Sequence, residues 1–260
     1  MATRVNPENP GSHARLTEEH HPEAIRHRLN KPARDDVTAD AVLGGIDGCV
    51  TTFAVVSGVV GAGFSPVVAV VLGFSNLVAD GFSMAVSSYE SIKTSREFIQ
   101  SVRDTEQHHI EQVPEGEKEE IRQIFRNKGF SGEVLENIVS TICSDQRLWI
   151  DTMLTEEHGI QKTGRDPLKA AFATFVSFVI VGSVPLVPLL LPAAETGTKF
   201  TMSAVLAALM FFSIGALKSR VFSKPVFRSG FSTLLTGGAA AALAYFVGDL
   251  LRGLVAVGVP

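Results

Sequence analysis

Residues 41–88 read AVLGGIDGCVTTFAVVSGVVGAGFSPVVAVVLGFSNLVADGFSMAVSS. The stretch contains two apolar runs, each close to the roughly 20 residues that a helix needs to cross a bilayer core. Only about three residues, 63–65, connect the runs, so we expect an antiparallel helical hairpin in the membrane. Each run contains one acid, Asp47 in the first and Asp80 in the second, and acids inside a membrane span usually bind or move something charged.

Charged residues are segregated along the rest of the chain. Residues 1–40 and 89–169 hold most of them, whereas 41–88 and 170–260 are rich in Ala, Val, Gly, Leu and Phe. With 45% apolar and 19% charged residues overall, this asymmetry indicates membrane segments on either side of a soluble insert. The net charge of −4 carries little information, no nucleic-acid partner is predicted, and two cysteines make no disulfide framework.

The hydropathy pattern predicts an all-α membrane protein with five transmembrane helices and a helical cytoplasmic insert between the second and the third. The predicted spans are roughly 41–62, 66–88, 170–191, 202–217 and 229–255. The predicted regions are a cytoplasmic segment at 1–40, spans 1 and 2 at 41–88, the insert at 89–169, and spans 3 to 5 at 170–260. Residues 1–35, with four His and several Pro, are expected to be mobile.

Basic residues predict the orientation of the spans. They precede the first span and fill the connection between the fourth and fifth: Arg26, Arg28, Lys31, Arg34, Lys218, Arg220, Lys224 and Arg228. The opposite connections carry little charge, none at 63–65 and one Lys and one Glu at 192–199. Because Lys and Arg accumulate on the cytoplasmic side, the N-terminus and the insert are predicted to be cytoplasmic and the C-terminus outside or lumenal.

Gly44 and Gly48 lie four residues apart in the first span. This spacing commonly marks a helix interface in lipid, although glycine is also simply frequent in membrane helices. A dimer seam along the first helix is one hypothesis for their role.

Asp47 and Asp80 are predicted to lie at one depth in the membrane. Asp47 is 17 residues before Phe64 and Asp80 is 16 residues after it, so at about 1.5 Å per residue each is roughly 25 Å from the turn. In a core about 30 Å thick, that depth is near the cytoplasmic end. Met84 shares the helix face of Asp80 one turn further along, and Asn76 lies one turn the other way.

These side chains, together with Thr51, fit a transport pathway for a divalent cation. Oxygen ligands suit hard divalent ions, and the thioether of Met84 favours transition metals over Ca²⁺ or Mg²⁺. Two carboxylates held close in a low dielectric titrate as a coupled pair, which supplies a proton carrier near neutral pH. The alternatives are a structural acid that caps a helix at Asp47, an acid that snorkels to the cytoplasm at Asp80, and simple packing of Met84.

The insert is predicted to contain helices at 89–112, 115–128, 131–143 and 144–158. Ser131 is predicted to cap the third helix, and Ser144 or Asp145 the fourth. Three of the helices each present two metal-ligand side chains on one face: Glu106 with His109, Glu117 with Glu120, and Met153 with Glu157. Such pairs converge on metal ions in helical bundles, although each pair alone also fits a solvated helix face.

The sequence resembles the vacuolar iron transporter family, which includes vacuolar iron and manganese importers of plants and yeast and many bacterial proteins. The resemblance rests on GGIDG at 44–48, NLVADGFSM at 76–84, the run 113–120 and the segment 153–159, and extends over about 38–255. It implies a homodimeric metal/proton antiporter, embedded in membrane lipid, that moves Fe²⁺ or Mn²⁺ out of the cytosol along the first two spans.

The resemblance also implies roles for single residues. Asp47 and Met84 match an acid and a methionine that the family uses for transport. The insert matches a metal-binding domain with ligands at Glu106, Glu117, Glu120, Met153 and Glu157. Asn76 and His109 stand where the better known plant members have glutamate; histidine suits Fe, Zn or Mn, so Zn²⁺ is a further candidate for the insert. Asp80 is expected to restore the charge that is lost at Asn76.

Two other functions remain open from the sequence. Glu106-x-x-His109 is also typical of a di-iron oxidase, but such an enzyme generally needs a second Glu-x-x-His, which the insert sequence lacks. A metal sensor would bind metal in the insert without needing matched acids in its spans. We therefore predict a secondary transporter rather than an enzyme. The first span is similar to bacterial members, which favours a bacterial plasma membrane over a vacuole.

Overall fold

The computed structural model describes residues 16–30, 37–161, 164–192, 195–222 and 225–258. These residues contain helices and no strand. The main α-helices are α1 Pro22–Leu29, α2 Thr38–Gly61, α3 Pro66–Gln112, α4 Pro114–Asn127, α5 Gly132–Cys143, α6 Gln146–Glu156, α7 Pro167–Ser183, α8 Thr196–Phe222 and α9 Val226–Gly258. Of the segment predicted to be mobile, residues 1–15 and 31–35 lie outside the described ranges, and α1 lies in the remainder.

Five helical segments in the described part of the chain are long and apolar enough to cross a membrane: Thr38–Gly61, Pro66–Gln112, Pro167–Leu190, Thr196–Ser219 and Val226–Leu254. The predicted all-α fold with five membrane-length helices is thereby confirmed. The chain forms two compact units, residues 1–89 with 165–260, called the membrane unit, and residues 90–164, called the insert.

Several helices are longer than their apolar windows. α8 begins at Thr196, six residues before the predicted start at 202, and α9 runs over Val226–Gly258 rather than 229–255. The added residues at the start of α8 are TGTKFT, which are mostly polar. A hydropathy window detects only the part of a helix that suits hydrocarbon, so it misses helical turns that continue into the interface.

The third span changes helix type near its end. α7 stops at Ser183 and a 3₁₀-helix follows at Val184–Leu190, which contains Pro185 and Pro188. Proline lacks the N–H that a helix needs, so a backbone carbonyl one turn earlier loses its donor. The hydroxyl of Ser203 on α8 donates to the carbonyl oxygen of Pro185 at 2.6 Å, which satisfies that group inside the bundle.

α2 lies at the centre of the membrane unit, where it contacts α7, α8 and α9. Glycines permit this: a Cβ at Gly44 would collide with the carbonyl oxygen of Thr174 on α7, and one at Gly48 would collide with that of Phe178. Backbones can approach this closely only where side chains are absent. Both glycines therefore make helix contacts within one chain. They are not available for the dimer interface along α2 that their spacing suggested.

The start of α7 is fixed by a cap and an ion pair. The side chain of Asp166 accepts hydrogen bonds from the backbone N–H groups of Leu168 and Lys169, as an N-cap residue does. Arg165 Nη2 lies 2.5 and 2.6 Å from the two carboxylate oxygens of the buried Asp40 near the start of α2. This pair ties the beginnings of α2 and α7 together at one end of the membrane unit.

The helices of the insert follow the predicted order with small differences. α3 continues without a break to Gln112, and Pro114 opens α4, where its missing N–H has no helical partner to lose. Asp145 caps α6 by accepting from two backbone N–H groups, as predicted. Ser131 stands at the N-cap of α5 but makes no side-chain cap bond, so that detail of the prediction is wrong; the next residue, Gly132, has a left-handed φ of 61°.

The insert has its own apolar core. Ile121 of α4 and Met153 of α6 are fully buried, and Trp149 is nearly so. Residues from α3, α4, α5 and α6 all contribute to this core. Trp149 is the single tryptophan of the chain, so its fluorescence reports on the insert alone.

Candidate functional site

Asp47 and Asp80 occupy different environments in the membrane unit. Asp47 lies on the central helix α2 and is half-buried, whereas Asp80 lies on α3 and is exposed. α2 therefore supplies an acid from the interior of the unit, and α3 supplies one from its surface.

Polar side chains continue from these acids along both helices. The hydroxyl of Thr51 donates to the backbone carbonyl of Asp47 at 2.8 Å. Further along, Thr52 Oγ1 and Asn76 Nδ2 are buried without a hydrogen-bond partner among the described residues. A buried polar atom without a partner costs about 1–3 kcal/mol, so these two atoms mark places where water or a ligand would be stabilising.

Met84 is half-buried on α3. It packs against the apolar core of the membrane unit, which includes Leu77 and Phe178. This contact agrees with packing as one role for the side chain, and a transport role for its sulfur stays a prediction.

In the insert, two buried carboxylates form the centre of a cluster. Glu106 Oε1 lies 2.9 Å from Nε2 of His158, and Glu117 Oε1 lies 3.5 Å from Nδ1 of His109. The second oxygen of each carboxylate, Oε2, is buried and has no hydrogen-bond partner among the described residues. Buried carboxylates are normally paired or bound to a metal, so two open oxygens indicate a place for a cation.

Two sets of three ligand side chains share Glu106. One set is Glu106, His109 and Glu117, and the other is Glu106, Glu157 and His158; within each set, one ligand atom per residue lies within 4.8 Å of the others. Metal–ligand distances of about 2.0–2.2 Å place the ligands of one ion within about 4.4 Å of each other. Each set therefore needs only a small adjustment to hold an ion.

The crowding of acids is visible in their pKa values. Burial, followed by repulsion from Glu120 and Glu106, raises the pKa of Glu117 to about 7, while His109 lowers it. Burial and then Glu120 also raise the pKa of Glu157. Glu120 is itself exposed, but these effects place it beside the cluster.

Met153 differs from the other predicted ligands of the insert. It is fully buried in the apolar core, where Ile121 and Trp149 belong to the same cluster. Packing in the core is sufficient to explain why the Met153 side chain is buried. A role for its sulfur as a metal ligand stays a prediction.

His158 is the member of the cluster that sequence reasoning missed. His158 comes one residue after Glu157 and five after Met153, so in the predicted helix over 144–158 it does not share the face of that pair. In the structure, α6 ends at Glu156, and residue 158 lies beyond the helix. Gly159 follows with a left-handed φ of 65°, and the backbone N–H of His158 is bonded to the carbonyl of Met153 at 3.3 Å. The useful signal was a histidine next to a predicted ligand and just before a helix-ending glycine.

Several known proteins are similar to this chain in sequence. The VIT family model matches residues 38–249 of the chain. A vacuolar iron transporter of Toxoplasma gondii is 31% identical over 227 residues, which cover 84% of this chain and 75% of that protein. One of Plasmodium berghei is 29% identical over 238 residues (88% and 86%), and vacuolar iron transporter 2 of Oryza sativa is 29% identical over 212 residues (81% and 85%).

Proposed function

The chain belongs to the VIT family, and on that premise we propose that it exports a divalent metal ion from the cytosol in exchange for protons. Iron is the first candidate because relatives that cover most of the chain are named vacuolar iron transporters, and Mn²⁺ is the second. The protein would act as a secondary transporter, with no chemical step on its substrate.

The observation that carries this proposal is the set of acidic and unpartnered polar side chains on two otherwise apolar helices, α2 and α3. Asp47 is half-buried on α2 and Asp80 lies on α3, and the buried atoms of Thr52 and Asn76 have no partner among the described residues. Polar and acidic groups in a membrane span are expensive to keep, and ion pathways are their usual reason. The proposed pathway therefore runs along α2 and α3, with Met84 at its cytoplasmic end.

The insert is proposed to capture the ion before transport. Its buried carboxylates Glu106 and Glu117 each keep an open oxygen, which favours a cation over a neutral solute. Imidazole and carboxylate ligands together suit Fe²⁺ and Zn²⁺ better than Ca²⁺ or Mg²⁺. The proposed ligands are those predicted from sequence: Glu106, His109, Glu117, Glu120, Met153 and Glu157.

A homodimer is part of the proposal. Asp80, Val78 and Phe82 lie on exposed positions of α3 in the single chain. A second copy placed on this surface would remove a carboxylate from contact with lipid, which is stabilising. Light scattering on the detergent-solubilised protein should give two chains per particle; a strictly monomeric particle that still transports metal would contradict the dimer.

The orientation follows from the distribution of Lys and Arg and is likewise proposed: N-terminus and insert in the cytoplasm, C-terminus outside or in a lumen. A bacterial plasma membrane is the proposed location. Protease treatment of intact and of permeabilised cells should cleave the insert only in the second case. Cleavage in intact cells would contradict this orientation.

The test of transport is metal uptake into proteoliposomes, with the insert facing outward. Uptake of Fe²⁺ should be fast when the lumen is acidic and slow without a pH difference, and each uptake should be accompanied by proton release from the lumen. Uptake that ignores the imposed pH difference would refute proton coupling. Oxygen consumption measured in the same samples separates transport from the oxidase alternative, which would consume oxygen in proportion to the Fe²⁺ added.

A further inference from the structure

Glu106 of the insert has two oxygens in two different surroundings. Its Oε1 faces His158 Nε2 at 2.9 Å, and Glu157 Oε2 lies 3.7 Å from the same nitrogen. Its Oε2 is buried and has no hydrogen-bond partner among the described residues. One carboxylate thus takes part in two ligand sets, of which only the set with His109 was predicted from the sequence.

We infer that His158 is a metal ligand and that, with Glu106 and Glu157, it forms a second cation position that shares Glu106 with the position at His109 and Glu117. This inference rests on the proposed metal binding by the insert and adds to it a residue and a stoichiometry. Two-metal sites hold their cations about 3.5–4 Å apart. Glu106 could bridge two such cations, because its Oε1 faces His158 Nε2 and its Oε2 has no hydrogen-bond partner among the described residues.

The excess of carboxylates around His158 favours a role for His158 as a metal ligand over a role as an ion-pair partner of Glu106. Four carboxylates meet two imidazoles in the cluster: Glu106, Glu117, Glu120, Glu157, His109 and His158. The carboxylates outnumber the imidazoles by two, so the cluster offers more acceptor oxygens than its own imidazoles can pair. An ion pair between His158 and Glu106 would also leave Glu106 Oε2 buried and unsatisfied, whereas two divalent cations remove both problems.

The local backbone holds His158 where a ligand is needed. The N–H of Ile160 bonds to the carbonyl of Leu154 at 2.8 Å, and Gly159 provides the left-handed turn between the helix and this bond. Both flanking residues of the turn are therefore anchored to α6. An imidazole on an anchored turn loses little freedom when it binds an ion, which favours affinity.

Nitrogen at this position predicts a preference among ions. Sites with imidazole ligands bind divalent metals in the general order Mn²⁺, Fe²⁺, Co²⁺, then Zn²⁺, with increasing affinity, whereas all-oxygen sites suit Mg²⁺, Ca²⁺ and Mn²⁺. The second position should therefore take Zn²⁺ or Fe²⁺ ahead of Mn²⁺. Replacing His158 should reduce binding of Zn²⁺ more than binding of Mn²⁺.

The test uses the full chain in detergent, titrated with Zn²⁺ by calorimetry, and zinc-edge X-ray absorption to count imidazole ligands. His158→Leu should lower the affinity of one of two bound Zn²⁺ ions at least about tenfold, since even the loss of an outer partner of a metal ligand costs 10–100-fold. The imidazole count per chain should fall from two to one. His108→Leu is the matched control, because His108 is exposed on α3 and belongs to neither ligand set.

The outcomes separate this inference from the proposed transport. Unchanged zinc stoichiometry and imidazole count in His158→Leu would overturn the inference, even if the protein transports metal. If His158→Leu loses one ion while the wild type shows no flux in liposomes, the inference stands and the transport proposal fails. His158→Gln, which keeps a polar group near Glu106, is measured as well, and an unchanged Trp149 emission shows that each variant is folded.

Discussion

The membrane unit and the insert are both helical, but they place their apolar side chains on opposite sides. In the membrane unit, large apolar residues such as Val78, Phe172 and Phe246 are exposed. In the insert, Ile121 and Trp149 are buried. The first unit is built for hydrocarbon around it, and the second for water, which agrees with the segregation of charge in the sequence.

The two units also treat acids differently. The membrane unit keeps Asp47 and Asp80 on separate helices, with polar atoms between apolar neighbours. The insert instead gathers several carboxylates and two imidazoles beside an apolar core. A sparse set of polar groups suits an ion that must leave again, whereas a dense set suits capture. This difference supports the proposed division of roles, in which the membrane unit moves the ion and the insert captures it, and three variants test that division.

The largest expected effect separates movement from affinity. Asp47→Asn should reduce the maximal rate of metal uptake into proteoliposomes at least about 100-fold, because it removes the acid that is proposed to exchange protons for metal. Glu106→Gln should instead raise the metal concentration needed for half-maximal uptake about tenfold or more, with a maximal rate within about twofold of the wild type. Initial rates over a range of Fe²⁺ concentrations give both quantities.

Asp249→Asn is the matched control for Asp47, because Asp249 is an exposed acid in a different span, α9. Its uptake should equal that of the wild type. If Glu106→Gln lowered the maximal rate as strongly as Asp47→Asn, the division of labour between the two units would be wrong.

A second prediction concerns how the units are packed. Gly48→Ala should destabilise the membrane unit by about 1–3 kcal/mol, because the added Cβ would collide with the carbonyl oxygen of Phe178 on α7. Gly238→Ala should be neutral or slightly stabilising, since a Cβ at Gly238 meets nothing within 4 Å and alanine favours the helix. Thermal aggregation of the two variants in detergent measures the difference; equal midpoints would show that backbone approach at α2 is unimportant.

The third prediction uses the pKa of Glu117, which burial and neighbouring acids raise to about 7 from the usual 4.5. The folded insert thus holds a proton that the unfolded chain releases between pH 4.5 and 7, so this contribution to stability is complete below pH 4.5 and is lost as the pH rises through 7. Without metal, the insert should lose about 1–2 kcal/mol between pH 5 and pH 8 from this group. Urea unfolding monitored by Trp149 fluorescence measures the change.

Glu117→Gln is the control for this pH dependence. The amide has nearly the same shape and does not titrate, so the loss of stability between pH 5 and pH 8 should shrink. Saturating Zn²⁺ should have the opposite effect on the wild type, because metal needs the ionised carboxylate and stabilises the fold by binding it. A wild-type insert whose stability is independent of pH would contradict the burial of Glu117.

The sequence predicted the membrane unit well because its signals are strong and local. Apolar runs of about 20 residues, turn residues and basic flanks act over short stretches, so five spans could be counted. The exchange of α-helix for 3₁₀-helix at Val184–Leu190 was not anticipated, although Pro185 and Pro188 were visible. The ion pair between Asp40 and Arg165 was also not predicted, because 125 residues separate them and no sequence pattern links them.

For the insert, helix periodicity predicted the ligand pairs but not every member of the cluster. Glu106, His109 and Glu117 come together as expected from ligand pairs on separate helices. His158 was missed because a helix continued to residue 158 would place it on a different face from Met153 and Glu157, whereas the chain leaves α6 at Glu156 and turns at Gly159. Periodicity also could not show that Met153 points into the apolar core, since core and ligand positions share the same helical spacing.

Met153 offers the smallest expected effect and tests whether core and site overlap. Met153→Leu nearly conserves volume, so the free energy of unfolding, followed by Trp149 fluorescence, should change by less than about 1.5 kcal/mol. If the thioether is also a ligand, Fe²⁺ affinity should fall several-fold while Mg²⁺ affinity stays the same, because sulfur prefers the softer ion. If the variant binds Fe²⁺ as tightly as the wild type does, and likewise Mg²⁺, then Met153 serves packing alone. The ligands of the cluster would then be carboxylates and imidazoles only, and no side chain of the adjacent apolar core would bind the metal.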